Sequence, residues 1–165
     1  ILERTLFLIA HKLELQSIRL SRELAAALPR PSGDADQIQQ ALLAILINAV
    51  EAMPEGGELK VATRLVQKEG EPHAQIEIAD TGVGIPEEVI DRLFEPFFTT
   101  KQDKKGVGLG LSVVYGIVRR HNGSIDVRSE VGQGTTFLIS LPEHGQVEQE
   151  LLIGGEKEEG EENGG

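Results

Sequence analysis

An amphipathic helix pattern between residues 34 and 53 places the strongest constraint on how this chain can fold. Its apolar residues recur at intervals of three and four, and so share one helix face: Ile38, Leu42, Ile45, Leu46, Ala49 and Met53. Asp34 or Asp36 can cap the start, and Pro54-Glu55-Gly56-Gly57 ends the helix. A helix with one apolar face must bury it against a second layer.

Strand patterns supply that second layer. One predicted hairpin pairs residues 58–66 with residues 74–79, which are joined by residues 67–72. A second pairs residues 124–129 with residues 135–141 around Gly132-Gln133-Gly134. The pattern from Ile18 to Leu24 favours an edge strand. We therefore predict an α/β (α+β) fold, a two-layer sandwich in which a mixed, mostly antiparallel sheet of about five strands packs against three helices.

Three further helices are expected. Residues 86–93 form a short one with Pro86 at its first position, and residues 109–121 form one closed by Asn122-Gly123, where the cations of Arg119, Arg120 and His121 complement the negative helix end. Residues 1–15 form the third, whose face of Leu2, Leu6, Ile9 and Leu13 calls for a partner, expected to be an upstream helix.

Composition narrows the function. Lys and Arg together number 16 against 27 Asp and Glu, which argues against a nucleic-acid surface. Residues 148–165 hold seven Glu and one Lys, so they contribute −6 of the net charge of −11, and we predict that this tail is disordered. The absence of cysteine is compatible with a cytoplasmic location, and no apolar run is long enough for a membrane span.

The stretch Asp80-Thr81-Gly82-Val83-Gly84-Ile85-Pro86 follows a predicted buried strand. This order places one carboxylate at the end of the sheet and lets the backbone turn tightly beside a flat ligand. Asp80 can then accept a hydrogen bond from an exocyclic amine such as that of adenine. The alternative interpretation is an ordinary turn.

Three glycines between Gly106 and Leu111 stand where a loop enters a helix. Free N–H groups and the positive helix end converge there, which is the arrangement that binds phosphate. Taken alone this signal is weak, because the stretch lacks the Lys-Ser/Thr of a P-loop and the spacing of the dinucleotide motif.

Asn48 is a polar residue within the apolar helix pattern. It can be structural, bonded to backbone or facing water. It can instead be a neutral oxygen ligand of Mg²⁺, an ion that takes its other ligands from water and substrate phosphates. Glu51, one turn later on the same face, can hold a metal-bound water.

In this order the motifs resemble the catalytic, ATP-binding domain of sensor histidine kinases in the GHKL superfamily, which has the Bergerat fold. The resemblance covers about residues 17 to 142. The N box is similar to residues 40–52, the G1 box to 80–86, the F box to 93–101 and the G2 box to 106–111, and the segment from Gly132 to Phe137 is similar to the terminal hairpin.

The resemblance implies ATP and Mg²⁺ as cofactors, with Asn48 as the metal ligand. The implied ATP-binding residues are Asn48, Glu51, Asp80, Gly82, Gly84, Ile85, Thr99, Thr100, Lys101, Gly106, Val107, Gly108, Leu109, Gly110, Leu111 and Thr135. It also implies a short ATP lid between Lys101 and Gly106, in which Lys104 or Lys105 either meets the phosphates or is solvated. Phe94, Phe97 and Phe98 are expected to anchor the lid by packing.

Two departures from the family limit the expected activity. Ala44 stands where the kinases carry a second Asn and related ATPases a Glu, so strong ATP hydrolysis is disfavoured. His11 lacks the acidic residue and Pro that follow an acceptor His. We therefore interpret residues 1–15 as a helical linker stub from a missing dimerisation and phosphoacceptor hairpin, residues 16–147 as the catalytic domain and residues 148–165 as the acidic tail. We do not expect this chain alone to phosphorylate itself.

The resemblance implies transfer of the γ-phosphoryl group to a His of the kinase's own dimerisation domain, and then to a response-regulator receiver domain. No nucleic acid or direct membrane contact is expected. Two alternatives stay open: a non-catalytic ATP-sensing module, and a GHKL protein-serine kinase or ATPase.

Overall fold

The computed structural model describes residues 1–96, 98 and 110–143. Its elements in chain order are α1 (Leu2–Leu15), β1 (Ile18–Glu23), α2 (Ala35–Glu51), β2 (Gly57–Lys68), β3 (Glu71–Asp80), α3 (Glu87–Ile90), α4 (Gly110–Arg120), β4 (Ser124–Glu130) and β5 (Gly134–Pro142). The predicted acidic tail and the whole of the predicted lid between Lys101 and Gly106 lie outside the described residues.

Within the described part of the chain the strands form one five-stranded sheet in the order β1-β2-β3-β5-β4. The edge strand β1 runs parallel to β2, and the other neighbouring pairs are antiparallel. The predicted two-layer sandwich with a mixed, mostly antiparallel sheet is thus confirmed.

The hairpin of β2 and β3 is longer than the sequence indicated. Residues 67, 68, 71 and 72, predicted as turn, continue the ladder, and only Glu69 and Gly70 connect the strands. Both have positive φ, 53° and 84°. A two-residue turn of this handedness matches the twist of the strands it joins, so the hairpin needs no longer loop.

Helix α2 forms as the apolar stripe predicted. The Asp34 carboxylate caps it by accepting hydrogen bonds from the backbone N–H groups of Asp36 and Gln37. Ile45 and Leu46 have no exposed surface, and the rest of the stripe is also buried. The helix therefore lies at the centre of the core, against the sheet.

One face of the sheet packs on the helices and the other carries charged side chains. Val61, Ile78 and Phe137 belong to the buried core, and the register aligns them across β2, β3 and β5 in neighbouring pairs on one face. On the other face, Arg64 pairs with Glu77 at 2.7 Å. The helix layer thus covers a single sheet face.

Helix α1 packs on α2 and β1, and Leu6, Ile9 and Leu13 are buried in the common core. The prediction that an upstream helix covers this face is wrong. An amphipathic stripe indicates that a face is covered but does not identify the surface that covers it. Phe7 and Leu8 lie on the exposed side of α1.

Helix α3 is shorter than predicted. It spans Glu87–Ile90, with Pro86 as its N-cap in an extended conformation and not at its first position. The following residues continue as turns, in which the N–H groups of Arg92 and Leu93 bond to carbonyls three residues earlier. Such tightened turns lack the regular helix geometry that the sequence pattern indicated.

Helix α4 ends at Arg120 and is followed, as predicted, by Asn122 and Gly123, but His121, predicted as a cation at the helix end, is instead held between two helices. Its ring is buried: Nδ1 lies 2.8 Å from the Ile117 carbonyl and Nε2 accepts the Asp34 N–H at 3.0 Å. His121 therefore joins the end of α4 to the start of α2.

Candidate functional site

Asp80 is the last residue of β3, paired with Leu59 on one side and Thr135 on the other. Its side chain is buried, with 7% of the residue exposed, and Oδ1 accepts the Gly82 N–H at 2.8 Å. Burial raises the pKa of this carboxyl above its usual value, while the backbone N–H groups of Gly82 and Thr135 lower it. The structure thus holds a buried acid at the end of the sheet.

The loop after Asp80 is held against the end of α2. A Cβ on Gly82 would contact the Ala52 carbonyl oxygen closer than any real Cβ atom does, so only glycine fits there. The neighbouring Val83 N–H bonds to that same oxygen at 3.0 Å. Gly84 has φ of 73° beside the backbone of Glu130, a conformation and a close approach that favour glycine.

The loop is also tied to the start of β2. The hydroxyl of Thr81 accepts the Glu58 N–H at 2.9 Å, and the Thr81 N–H bonds to the Glu58 carbonyl at 3.2 Å. Thr81 therefore extends the pairing of β2 and β3 past the last ladder residue and fixes the direction in which the loop leaves the sheet.

The β4–β5 hairpin holds the other side of the loop. The Gly132 N–H bonds to the Val83 carbonyl at 2.8 Å. Ser129 Oγ accepts the Ile85 N–H at 2.8 Å and lies 2.8 Å from Thr135 Oγ1. Sequence reasoning missed Ser129, although it continues the inward alternation of Ile125 and Val127 as the first polar member.

Asn48 lies in the last turns of α2 and is half-buried. Among the described residues its side-chain amide forms no hydrogen bond, so it remains available to a ligand. Glu51, one turn later, is exposed, and Ala44, one turn earlier, is half-buried against the core. The half-exposed, uncharged amide oxygen of Asn48 is a suitable ligand for Mg²⁺, which binds oxygen atoms.

The described chain holds no group of three His, Cys, Asp or Glu side chains placed to bind a metal ion. An ion at Asn48 would therefore draw its other ligands from water and nucleotide phosphates. The described residues also include no helix long and apolar enough to cross a membrane.

Only part of the predicted phosphate-binding stretch is described. Gly110 begins α4 and is exposed, and Leu111 packs partly against the core. Helix α4 packs directly on α2, the helix of Asn48. The remaining predicted residues, Thr99, Thr100, Lys101, Gly106, Val107, Gly108 and Leu109, lie outside the described residues, as do Lys104 and Lys105.

Two phenylalanines in the segment after α3 each contact another side chain. The rings of Phe94 and Tyr115 lie 5.4 Å apart, and the Arg92 guanidinium stands 4.5 Å from the centre of the Phe98 ring. Both phenylalanines are half-buried. Phe94 packs against the core as predicted; Phe97 and the lid that these residues are predicted to anchor lie outside the described residues.

A buried acid at the end of a mixed, mostly antiparallel sheet, a glycine loop bonded to a helix end and an asparagine on that helix define a class of nucleotide-binding domain. Residues 33–145 match the model of the histidine kinase-, DNA gyrase B- and HSP90-like ATPases, and the chain belongs to this family. Within it, the chain is an ATP-binding catalytic domain of the histidine-kinase type in the GHKL superfamily.

Two relatives illustrate the similarity. The sensor kinase CckA of Brucella abortus is 46% identical over 120 residues, which cover 66% of this chain and 13% of CckA. Sporulation kinase E of Bacillus subtilis is 36% identical over 149 residues, which cover 90% of this chain and 20% of that kinase. The chain thus spans a small fraction of the length of these relatives.

Solved structures share the fold. Full-length ShkA in complex with AMPPNP aligns with a TM-score of 0.73 at 28% identity, over 86% of this chain and 29% of ShkA. The histidine kinase ThkA in complex with the response regulator TrrA aligns with a TM-score of 0.68 at 26% identity, over 86% of this chain and 39% of the matched chain. The sequence resemblance is thus confirmed at the level of fold and family.

Proposed function

We propose that this domain binds Mg²⁺-ATP with the adenine beside Asp80 and donates the γ-phosphoryl group to a histidine of an adjoining dimerisation domain. The observation that carries the proposal is the buried Asp80 carboxylate, held by the Gly82 N–H next to a loop that is bonded to α2. A carboxylate at this position accepts a hydrogen bond from the exocyclic amine of adenine. The AMPPNP bound by ShkA supports a nucleotide as ligand.

The helices supply the phosphate end of the proposed site. Asn48 on α2 would hold Mg²⁺ through its amide oxygen, with Glu51 directed to a metal-bound water. The N–H groups at the start of α4, together with residues 106–109, would hold the phosphates. Mg²⁺ in such a site neutralises phosphate charge, and the chain's own residues position the nucleotide.

The transfer step itself requires little covalent chemistry from this domain. A nitrogen of the acceptor histidine attacks the γ-phosphorus, the bond to the β,γ-bridging oxygen breaks, and ADP leaves with that electron pair. A receiver-domain Asp of a response regulator would next take the phosphoryl group; the ThkA–TrrA complex supports this class of partner. Ala44 offers no side chain to activate water, which favours transfer over hydrolysis.

The adenine assignment is tested by Asp80→Asn. We expect Mg²⁺-ATP affinity to fall at least about tenfold, because a charged hydrogen-bond acceptor is lost from a buried site. Asp126→Asn is a matched control, since Asp126 lies on the exposed face of β4, 3.9 Å from Lys68, and its loss should leave affinity unchanged. Titration calorimetry measures both; equal affinity in wild type and Asp80→Asn would refute the assignment.

The catalytic proposal is tested by supplying a histidine-bearing dimerisation domain in trans with γ-labelled ATP. We expect an acid-labile label on the acceptor domain and none on this chain. ATP binding without any transferred label would indicate a sensing module, label on serine a protein-serine kinase, and rapid phosphate release an ATPase.

A further inference from the structure

Ser129 forms three hydrogen bonds that connect the β4–β5 hairpin to the loop beside Asp80. Its Oγ accepts the Ile85 N–H at 2.8 Å, donates to the Gly134 carbonyl at 2.9 Å and lies 2.8 Å from Thr135 Oγ1. All three contacts are partly buried, so water competes weakly for them. None of the motifs identified in the sequence includes this residue.

The three contacts determine where the protons lie. A hydroxyl has one hydrogen to donate and two lone pairs that accept. The Gly134 carbonyl can only accept, so it takes the Ser129 hydrogen, and the Ile85 N–H occupies one Ser129 lone pair. The Thr135 hydroxyl must therefore donate to the second lone pair of Ser129.

This donation leaves Thr135 Oγ1 with acceptor capacity alone. Thr135 pairs with Asp80 across β3 and β5, so the two side chains stand side by side on the helix-facing side of the sheet. Both are buried, with 5% and 7% of the residue exposed. An ionised carboxylate is also an acceptor only. The end of the sheet thus presents two neighbouring acceptors and no side-chain donor from this pair.

We propose that Ser129 is a positioning residue that orients the Thr135 hydroxyl as an acceptor and thereby makes the site select a 6-amino purine over a 6-oxo purine. Adenine carries a donor amine at this position, which meets two acceptors favourably. Guanine carries an acceptor oxygen there, which would face two acceptors and leave buried polar atoms unpaired. A site built around such hydrogen bonds rejects the wrong partner strongly. The inference rests on the proposed adenine site.

The test compares affinities for Mg²⁺-ATP and Mg²⁺-GTP in wild type and Ser129→Ala. Without Ser129 the Thr135 hydroxyl can rotate and donate, so we expect the ratio of ATP to GTP affinity to fall about tenfold, the value of roughly one hydrogen bond. Ser129→Thr keeps the hydroxyl and should restore the ratio. Ser124→Ala is the matched control on the same strand, where the hydroxyl accepts from Lys68, and should leave the ratio unchanged.

A purely structural role would weaken both nucleotides equally, because a disordered loop disfavours any base. An unchanged ratio in Ser129→Ala, with lower affinity for both, therefore overturns the inference. Thr135→Val adds a second criterion: in that background Ser129→Ala should no longer change the ratio, since Ser129 acts through Thr135. If the two substitutions change the ratio additively, the inference is also wrong.

The outcomes separate this inference from the proposed function. Wild-type protein that prefers ATP, with a ratio unaffected by Ser129→Ala, contradicts only the role of Ser129. Wild-type protein that binds neither nucleotide contradicts the proposed adenine site and the inference together. Circular dichroism of each variant shows whether the fold is retained before affinities are compared.

Discussion

At the scale of single residues, Asp80 combines two opposing requirements. Burial at the end of β3 disfavours the ionised carboxyl, whereas the N–H groups of Gly82 and Thr135 favour it. The ionised form is the one that accepts from an adenine amine without a competing proton. Without nucleotide, burial therefore destabilises the ionised Asp80 carboxylate, and a hydrogen bond from the amine of bound adenine would offset this cost. Perturbed pKa values of this kind are common at functional sites.

This cost predicts a pH dependence of stability. The folded-state pKa of Asp80 is raised above its ordinary value of 3.8, so its stabilising contribution is fully present below 3.8 and is lost as pH rises through the raised folded-state pKa. The free energy of unfolding of wild type minus that of Asp80→Asn should therefore decrease over this range. Urea denaturation at a series of pH values measures it; a difference that grows with pH would contradict the prediction.

Residues differ in how far the sequence predicts their roles. The position of Asp80 at the end of the sheet was predictable, because a strand pattern, an acid and, one residue later, Gly-x-Gly follow one another in the chain. Ser129 was not, because its partners Ile85, Gly134 and Thr135 become neighbours only when the hairpin packs on the loop. A polar residue on an inward strand position is a signal, but it does not identify the atoms that it bonds.

At the scale of elements, α2 is the part of the fold that its own sequence defines best. Its cap, its apolar stripe and its end were all predicted, since each depends on local spacing. The elements that cover α1 were not predicted. Periodicity indicates that a helix face is covered, but it does not show whether α2, β1 or an upstream helix covers it. Likewise, local sequence did not indicate that His121 accepts a hydrogen bond from the Asp34 N–H, because Asp34 lies 87 positions away.

The packing of α1 predicts unequal effects of two substitutions on that helix. Ile9 is 2% exposed, so Ile9→Ala should lower the free energy of unfolding by about 2–5 kcal/mol through lost burial and a cavity. Phe7 is 81% exposed, so Phe7→Ala should change it by less than about 0.5 kcal/mol. Chemical denaturation measures both. Equal and small effects would show that α1 is not part of the folded core.

At the scale of the whole molecule, three segments far apart in sequence fix the loop beside Asp80. The end of α2 bonds to Val83, the start of β2 bonds to Thr81, and the β4–β5 hairpin bonds to Val83 and Ile85. No segment alone holds the loop, so its geometry depends on the complete sheet and helix layer. The adenine-binding end of the proposed site is therefore formed before any ligand binds.

A preformed loop predicts slow amide exchange without nucleotide. The Val83 and Ile85 amides are both hydrogen-bonded, so they should exchange far more slowly than the amide of Gly70 in the exposed β2–β3 turn. Native-state hydrogen exchange followed by NMR measures the rates. If Val83 and Ile85 exchange as fast as Gly70, the loop is not formed in the free protein.

One residue, Ala52, links the two ends of the proposed site through its backbone. The Ala52 N–H bonds to the Asn48 carbonyl, and the Ala52 carbonyl accepts the Val83 N–H, both at 3.0 Å. These two groups belong to consecutive peptide units of the same backbone, so a shift of the α2 backbone at Asn48 reaches the Val83 hydrogen bond through Ala52. A divalent ion bound at Asn48, as proposed, should therefore change the amide chemical shift of Val83 without touching it.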